Sequence, residues 1–145
     1  MSHDFTSTSV GDSFSGSITV TETHIVLAAG LFGDFAPLHV DEEYASTTQF
    51  GSRIAHGTLV TGLIAGVLSG HFGINAAGYL EEHVRFRAPV FAGDTVTSTW
   101  DVREMIPKER FGGGIIKLGI QCTRQDGTLI LEGEATLIVR SAQPS

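Results

Sequence analysis

Asp34 and His39 stand five positions apart in the run G-D-F-A-P-L-H (Gly33 to His39), with Pro37 stiffening the chain between them. A carboxylate and an imidazole held on one short loop, outside the core, can share a water and exchange protons with it near neutral pH. The same residue types also suit a purely structural role, an aspartate forming a turn after glycine and a histidine at the surface beside proline. The pair alone leaves both readings open. In R-I-A-H-G-T (Arg53 to Thr58), Gly57 opens an apolar run. A helix starting there presents backbone N–H groups that have no partner within the helix and that suit negative charge. Gly57 either donates such an N–H or simply lets the helix pack closely. Arg85 and Arg87 share one parity of a strand. With Lys108 and Arg110 they offer positive charge either to a phosphate group or to solvent. His56 is read as orienting the helix start and not as catalytic, and His24, His71 and His83 as ordinary surface or packing residues. No cluster of Cys, His and acids has metal-ligand spacing, so neither a metal nor a cofactor is expected.

The elements that must position these residues can be read from periodicity. Phe14 to Val20 reads as a short strand, with Ser13, Ser15 and Ser17 alternating against less polar neighbours. Thr21 caps a helix with Glu22 in its first turn, and Ile25, Val26, Ala29 and Phe32 form its apolar face. Pro37 pushes Ala36 into an extended conformation, which makes residues 33–40 a loop. Asp41 caps a second short helix carrying Glu42 and Glu43. Between His56 and Gly70, Leu59, Leu63, Val67 and Val60, Ile64, Leu68 recur at i+4, and no face is charged. That pattern predicts a helix buried nearly all round. Its glycines, Gly57, Gly62, Gly66 and Gly70, suggest another backbone passing close by.

Beyond Gly73 the pattern turns to strands: Tyr79 to Val90, Thr95 to Val102, Ile115 to Arg124 and Thr128 to Val139. A loop through Pro107 and Gly112-Gly113-Gly114 separates the second from the third, and a polar tail starts at Ser141. Long antiparallel strands must bury one face, and the apolar helix is the element able to fill it. The expectation is one α+β domain over residues 1–145, with a core of roughly 14–140, in which a curled antiparallel sheet wraps a long central helix.

Composition narrows the function. Sixteen acids against nine bases, a formal charge of −7, argue against a nucleic-acid partner. With 41% apolar side chains the chain can build a core. Cys122 is the one cysteine, so no disulfide framework is expected, and one thiol fits a reducing compartment. Residues 1–10 lack the pattern of a secretory signal. Leu59 to Leu68 is about half the roughly 20 residues of a membrane span, so no membrane role and a cytoplasmic location are expected.

G-D-F-A-P-L-H, followed by R-I-A-H-G-T and by F-R-A-P-V-F-A-G-D-T-V (Phe86 to Val96), resembles the MaoC-like hydratases, the (R)-specific enoyl-CoA hydratases. The likeness spans Phe14 to Val139 by order of elements. It implies the hotdog fold, in which a sheet wraps a long helix. It further implies that Asp34 and His39 orient a water for addition to a trans-2-enoyl thioester, giving the (R)-3-hydroxyacyl product, and that the Gly57 backbone holds the thioester oxygen. Arg85 and Arg87 would meet phosphates of coenzyme A; the carrier could also be acyl carrier protein. Two positions depart from the family pattern: Ala36 replaces the usual Asn, and Ala65 a polar residue of some members. Two other functions stay open, a hotdog acyl-CoA thioesterase and a non-catalytic acyl-thioester binding module. A curled sheet also leaves open edges, which predicts at least a homodimer, with the acyl tunnel of such relatives along the subunit interface.

Overall fold

The computed structural model describes residues 2–142. Five strands form one antiparallel sheet: β1 (Ser13–Thr19), β2 (Ala76–Phe86), β3 (Thr95–Lys108), β4 (Gly113–Arg124) and β5 (Leu129–Arg140), in the order β1-β3-β4-β5-β2. Helices α1 (Glu22–Phe32), α2 (Pro37–Val40), α3 (Glu42–Ser46) and α4 (Gly57–Phe72) lie between β1 and β2 in the chain. The α+β architecture, a curled sheet around a long helix, is the one expected. The sheet does not close.

The core forms where α4 meets the concave face. Leu59, Val60, Ile64, Leu68 and Phe72 are buried against Trp100, Val102, Ile116, Leu118 and Leu137, among others. Full burial of such side chains is worth about 1.5–3 kcal/mol each. Trp100 is fully enclosed because its indole N–H donates to the equally buried Ser98 hydroxyl at 3.0 Å. Gly16 lets β1 meet the helix: a Cβ there would sit 2.8 Å from Val67 Cγ2.

Several expectations change. α4 is not buried all round: Thr58, Gly62, Gly66, Ser69 and Gly70 are exposed in the chain by itself. No backbone crosses its glycines either, since a Cβ on Gly62, Gly66 or Gly70 would meet nothing within 4 Å. Absence of charge marked a surface without water-seeking groups, not one already covered. The helical run is also longer than the apolar count implied. Residues Gly57–Asn75, mean hydropathy 1.4, are long and apolar enough to cross a membrane, although the apolar face of α4 is engaged by the sheet.

Pro37 starts α2 rather than remaining in a loop, because its fixed φ suits the first helical position; Ala36 before it is extended as expected (ψ 134°). β3 continues through Pro107, re-registered by a bulge between Val102 and Glu104. The glycine run splits accordingly. Gly112 (φ 64°) makes the turn, whereas Gly113 and Gly114 are strand residues. A Cβ on Gly113 would collide with the Val139 carbonyl, so that position needs glycine for closeness and not for φ.

The ends of the described chain meet. Phe5 N–H donates to the Arg140 carbonyl at 3.0 Å, Ser141 N–H to Gly112 O at 2.8 Å, and Ala142 N–H to Asp4 Oδ2 at 2.7 Å. The expected tail is thus anchored at its first two residues, and residues 143–145 lie outside the described ones. Backbone N–H groups of Ala142 and Ser7 hold the Asp4 carboxyl down at about 2. Its folded value lies below the unfolded one, so its stabilising effect is full above about pH 4 and fades as pH falls toward 2. Asp4→Asn is expected to melt below wild type at pH 6, with the gap closing between pH 4 and 2. A gap that persists at pH 2 would contradict this account.

Candidate active site

α1 sets the first side chain. Its cap residue Gly33 adopts the left-handed conformation (φ 66°), and both Gly33 and Asp34 N–H groups return to the Ala29 carbonyl. Asp34 leaves the helix there, with Oδ1 accepting from Ala36 N–H at 3.2 Å and its side chain 47% exposed. Ala36 contributes through its backbone, so the missing Asn side chain leaves this turn intact.

His39 sits on α2, not on a free loop, and its side chain is only 13% exposed. Its Nδ1 lies 2.8 Å from the Ile54 carbonyl. A carbonyl can only accept, so Nδ1 carries a proton, and in the neutral ring Nε2 then holds a free lone pair. That lone pair lies 3.9 Å from Asp34 Oδ2. The gap is too long for a direct hydrogen bond, yet one water could lie ~2.8 Å from both atoms.

The segment carrying Ile54 is clamped from below. Arg53 makes paired hydrogen bonds to Glu22 at the start of α1, at 2.7 and 2.9 Å, and a third to Glu42 in α3 at 3.0 Å. Ser52 and Arg53 beside it hold the Glu42 carboxyl below its ordinary range. One guanidinium thereby ties α1, which ends just before Asp34, to α3, which follows the short helix of His39.

His56 departs from its expected role. Its side chain makes no cap hydrogen bond to α4. It is 1% exposed, its Nε2 is 3.0 Å from the Asp34 backbone carbonyl, and its ring stacks on His39 with centroids 3.9 Å apart. Spacing gave no sign of this, since 22 residues separate it from Asp34. Asp34, His39 and His56 are the cluster, among the described residues, whose donors lie within 4.8 Å of one another. The stacked imidazoles point their lone pairs along nearly parallel planes (25° apart), a poor arrangement for converging on one ion.

Gly57 begins α4, and its N–H donates to no protein acceptor among the described residues. It faces a largely apolar cavity of about 410 Å³ that Ile54, Val60, Phe86, Arg87 and Ile130 also line. His39 lines a separate, smaller hollow of about 230 Å³ with Ala29, Phe35 and Arg53. Ala65 stands two turns further along α4, beside a separate hollow with Leu68 and Tyr79.

The basic residues do not converge within one chain. Arg87 lines the large cavity and pairs with Glu132 at 2.8 Å, while Arg85 lies in a polar depression with His83, Arg103 and Glu134. Lys108 pairs with Gly113, which also pairs with Arg140, whereas Phe86 pairs with Leu131. Nine residues of β5 separate the two ends, about 30 Å. Arg110 instead stacks over Phe111 at 4.6 Å. Neither Lys108 nor Arg110 reaches the cavity.

Residues 6–118 match the family model described as MaoC like domain. An (R)-specific enoyl-CoA hydratase of Rhodospirillum rubrum is 41% identical over 137 residues, 94% of this chain and 92% of that protein. A 3-hydroxybutyryl-CoA dehydratase of Methylorubrum extorquens is 36% identical over 83% of this chain and 73% of its own length. Among solved structures, the (R)-hydratase of A. caviae involved in PHA biosynthesis superposes with a TM-score of 0.79 at 32% identity, covering 92% of this chain and 98% of that one. An unliganded R-hydratase of Pseudomonas aeruginosa gives 0.84 at 28% identity, covering 98% and 94%.

Proposed function

The chain belongs to the MaoC-like domain family, and from that premise we propose that it is a hydro-lyase catalysing (R)-specific hydration of a trans-2-enoyl-CoA, or the reverse dehydration. The observation that carries this reading is the facing of Asp34 Oδ2 and His39 Nε2 across 3.9 Å, with Nδ1 of the same ring committed to Ile54. A water held between carboxylate and imidazole gives its hydroxyl to the β carbon of the enoyl group. The pair takes up the remaining proton and returns one to the α carbon, so the atoms of one water are added and none is left over. Negative charge passes through the thioester oxygen on the way. The unpartnered Gly57 N–H, at the positive end of α4, is the donor suited to it. Arg87 at the cavity is the basic group available to a phosphate of the carrier, with Arg85 outside it on the neighbouring surface.

Crotonyl-CoA tests the reading directly. Loss of enoyl absorbance without release of free thiol is the expected result. Free thiol would make the protein a thioesterase, and binding without turnover of either kind would make it a carrier or sensor of acyl thioesters.

The assembly in this reading is at least a homodimer in the cytoplasm. β1 and β2 are the sheet edges, and β2 leaves eleven residues of backbone open on one side, with Tyr79 and Leu80 about half exposed beside it. Such an edge is a template for another strand. Sedimentation equilibrium is expected to give at least twice the chain mass across the working concentration range. An active, concentration-independent monomer would remove the dimer from the account.

A further inference from the structure

We propose that His56 is a positioning residue for the dyad, holding Asp34 through its backbone and His39 through its ring; this rests on the hydratase reading above. The Asp34 carbonyl can only accept, so His56 Nε2 carries the proton that it donates across 3.0 Å. The second ring nitrogen, Nδ1, is then a bare acceptor, and it is buried without a partner. An apolar side chain of similar size would fill the space without that cost. The cost is offset by what the other nitrogen and the ring face do.

Asp34 needs such a hold. Its carboxylate is half exposed, and its neighbours Gly33 and Phe35 are exposed as well. The anchors on its own segment are the return of its N–H to Ala29 and the contact of Oδ1 with Ala36. His56 adds a hold from a distant segment, at the joint between Ala55, which bonds to Val90, and the start of α4. Its own ring is fixed by His39 on one face and by the edge-on ring of Phe32, 6.0 Å away. One rigid imidazole therefore sets the position of both dyad members relative to Gly57, its immediate neighbour in the chain.

The test is a cycle of four proteins: wild type, His56→Phe, Asp34→Asn and the double variant, with His56→Gln as a fifth. Phenylalanine keeps the stacking surface and removes the donor; glutamine keeps a donor for the carbonyl. The expected result for His56→Phe is a kcat for crotonyl-CoA hydration lower by about 10- to 100-fold, the usual cost of misplacing reacting groups, with KM changed less than about twofold. His56→Gln recovers a substantial part of kcat. In the Asp34→Asn background the same His56→Phe change costs no more than about twofold, because the group being positioned is already disabled. An equal loss in both backgrounds, or a loss confined to KM, would overturn the proposal. If His56→Phe does not fold, His56→Met replaces it in the same cycle. Full activity of Asp34→Asn would refute the dyad itself, whereas an inactive Asp34→Asn beside an unimpaired His56→Phe would refute the positioning role alone.

Discussion

Asp34→Asn and His39→Ala are each expected to lower the rate of crotonyl-CoA hydration by about 100-fold or more, the range of general acid–base groups. Asparagine preserves the size of Asp34 and an acceptor for Ala36 N–H, so the turn survives while the charge and the basic oxygen facing His39 are lost. Melting is therefore expected to move little, within about 1 kcal/mol. His39→Ala differs, because that side chain is mostly buried and bonded. Its removal leaves the Ile54 carbonyl unpaired and uncovers one face of His56, a loss of about 1–3 kcal/mol. The double variant should lose far less activity than the product of the two singles, since in the proposed mechanism both groups handle the protons of one water. Steady-state rates and melting curves for all four proteins decide the matter. Near wild-type turnover in either single variant would remove that residue from the mechanism.

Gly57→Val is expected to be the second most damaging change, and to act on the substrate more than on the fold. Gly57 has a negative φ, so a side chain adds no backbone strain there. What it adds is volume. Even a Cβ would stand 2.9 Å from Phe86 Cζ, and the two valine methyls extend further into the cavity. A thioester oxygen pushed away from the Gly57 N–H loses a donor of the kind worth about 100-fold or more in rate. Phe86 is half exposed and its ring tip can move. Gly57→Ala should therefore be the milder variant, and adding Phe86→Ala to it should restore part of kcat/KM. Equal activity of wild type and Gly57→Val would place the reacting thioester somewhere other than this cavity.

Much of this arrangement is local chemistry written in the chain. Thr21 and Asp41 cap α1 and α3 as their side chains require, accepting from His24 and Tyr44 N–H groups. Alternation sets the inward face of β1, where Phe14, Gly16 and Ile18 are the less exposed positions. Short-range order also delivers Asp34 and His39 to one place, because Gly33 ends α1 and Pro37 begins α2 within a few residues of each other.

Other features had no local signature. The i+4 ridges of α4 identified a helix without charge, but which face meets the sheet depends on strands that begin nineteen residues after Gly57. Strand ends were misjudged where a bulge reset the register after Val102, since one inserted residue moves every later side chain to the other face. Arg85 and Arg87 shared a parity, yet the first lies in a depression with Glu134 and the second at the large cavity, because pairing ends at Phe86 and the chain turns away toward Pro89.

By itself, then, the sequence determined the fold class, the helix caps and the nearness of Asp34 to His39, all of which depend on residues close together in the chain or on a repeated period. Tertiary structure alone decided the partner of His39 Nδ1, the link from His56 to Asp34, and the place of Gly57 in the wall of a cavity. Each of these needs a carbonyl, a ring or a wall brought in from a distant segment. Contacts of that kind are set by how the sheet wraps α4, and no spacing along the chain encodes them.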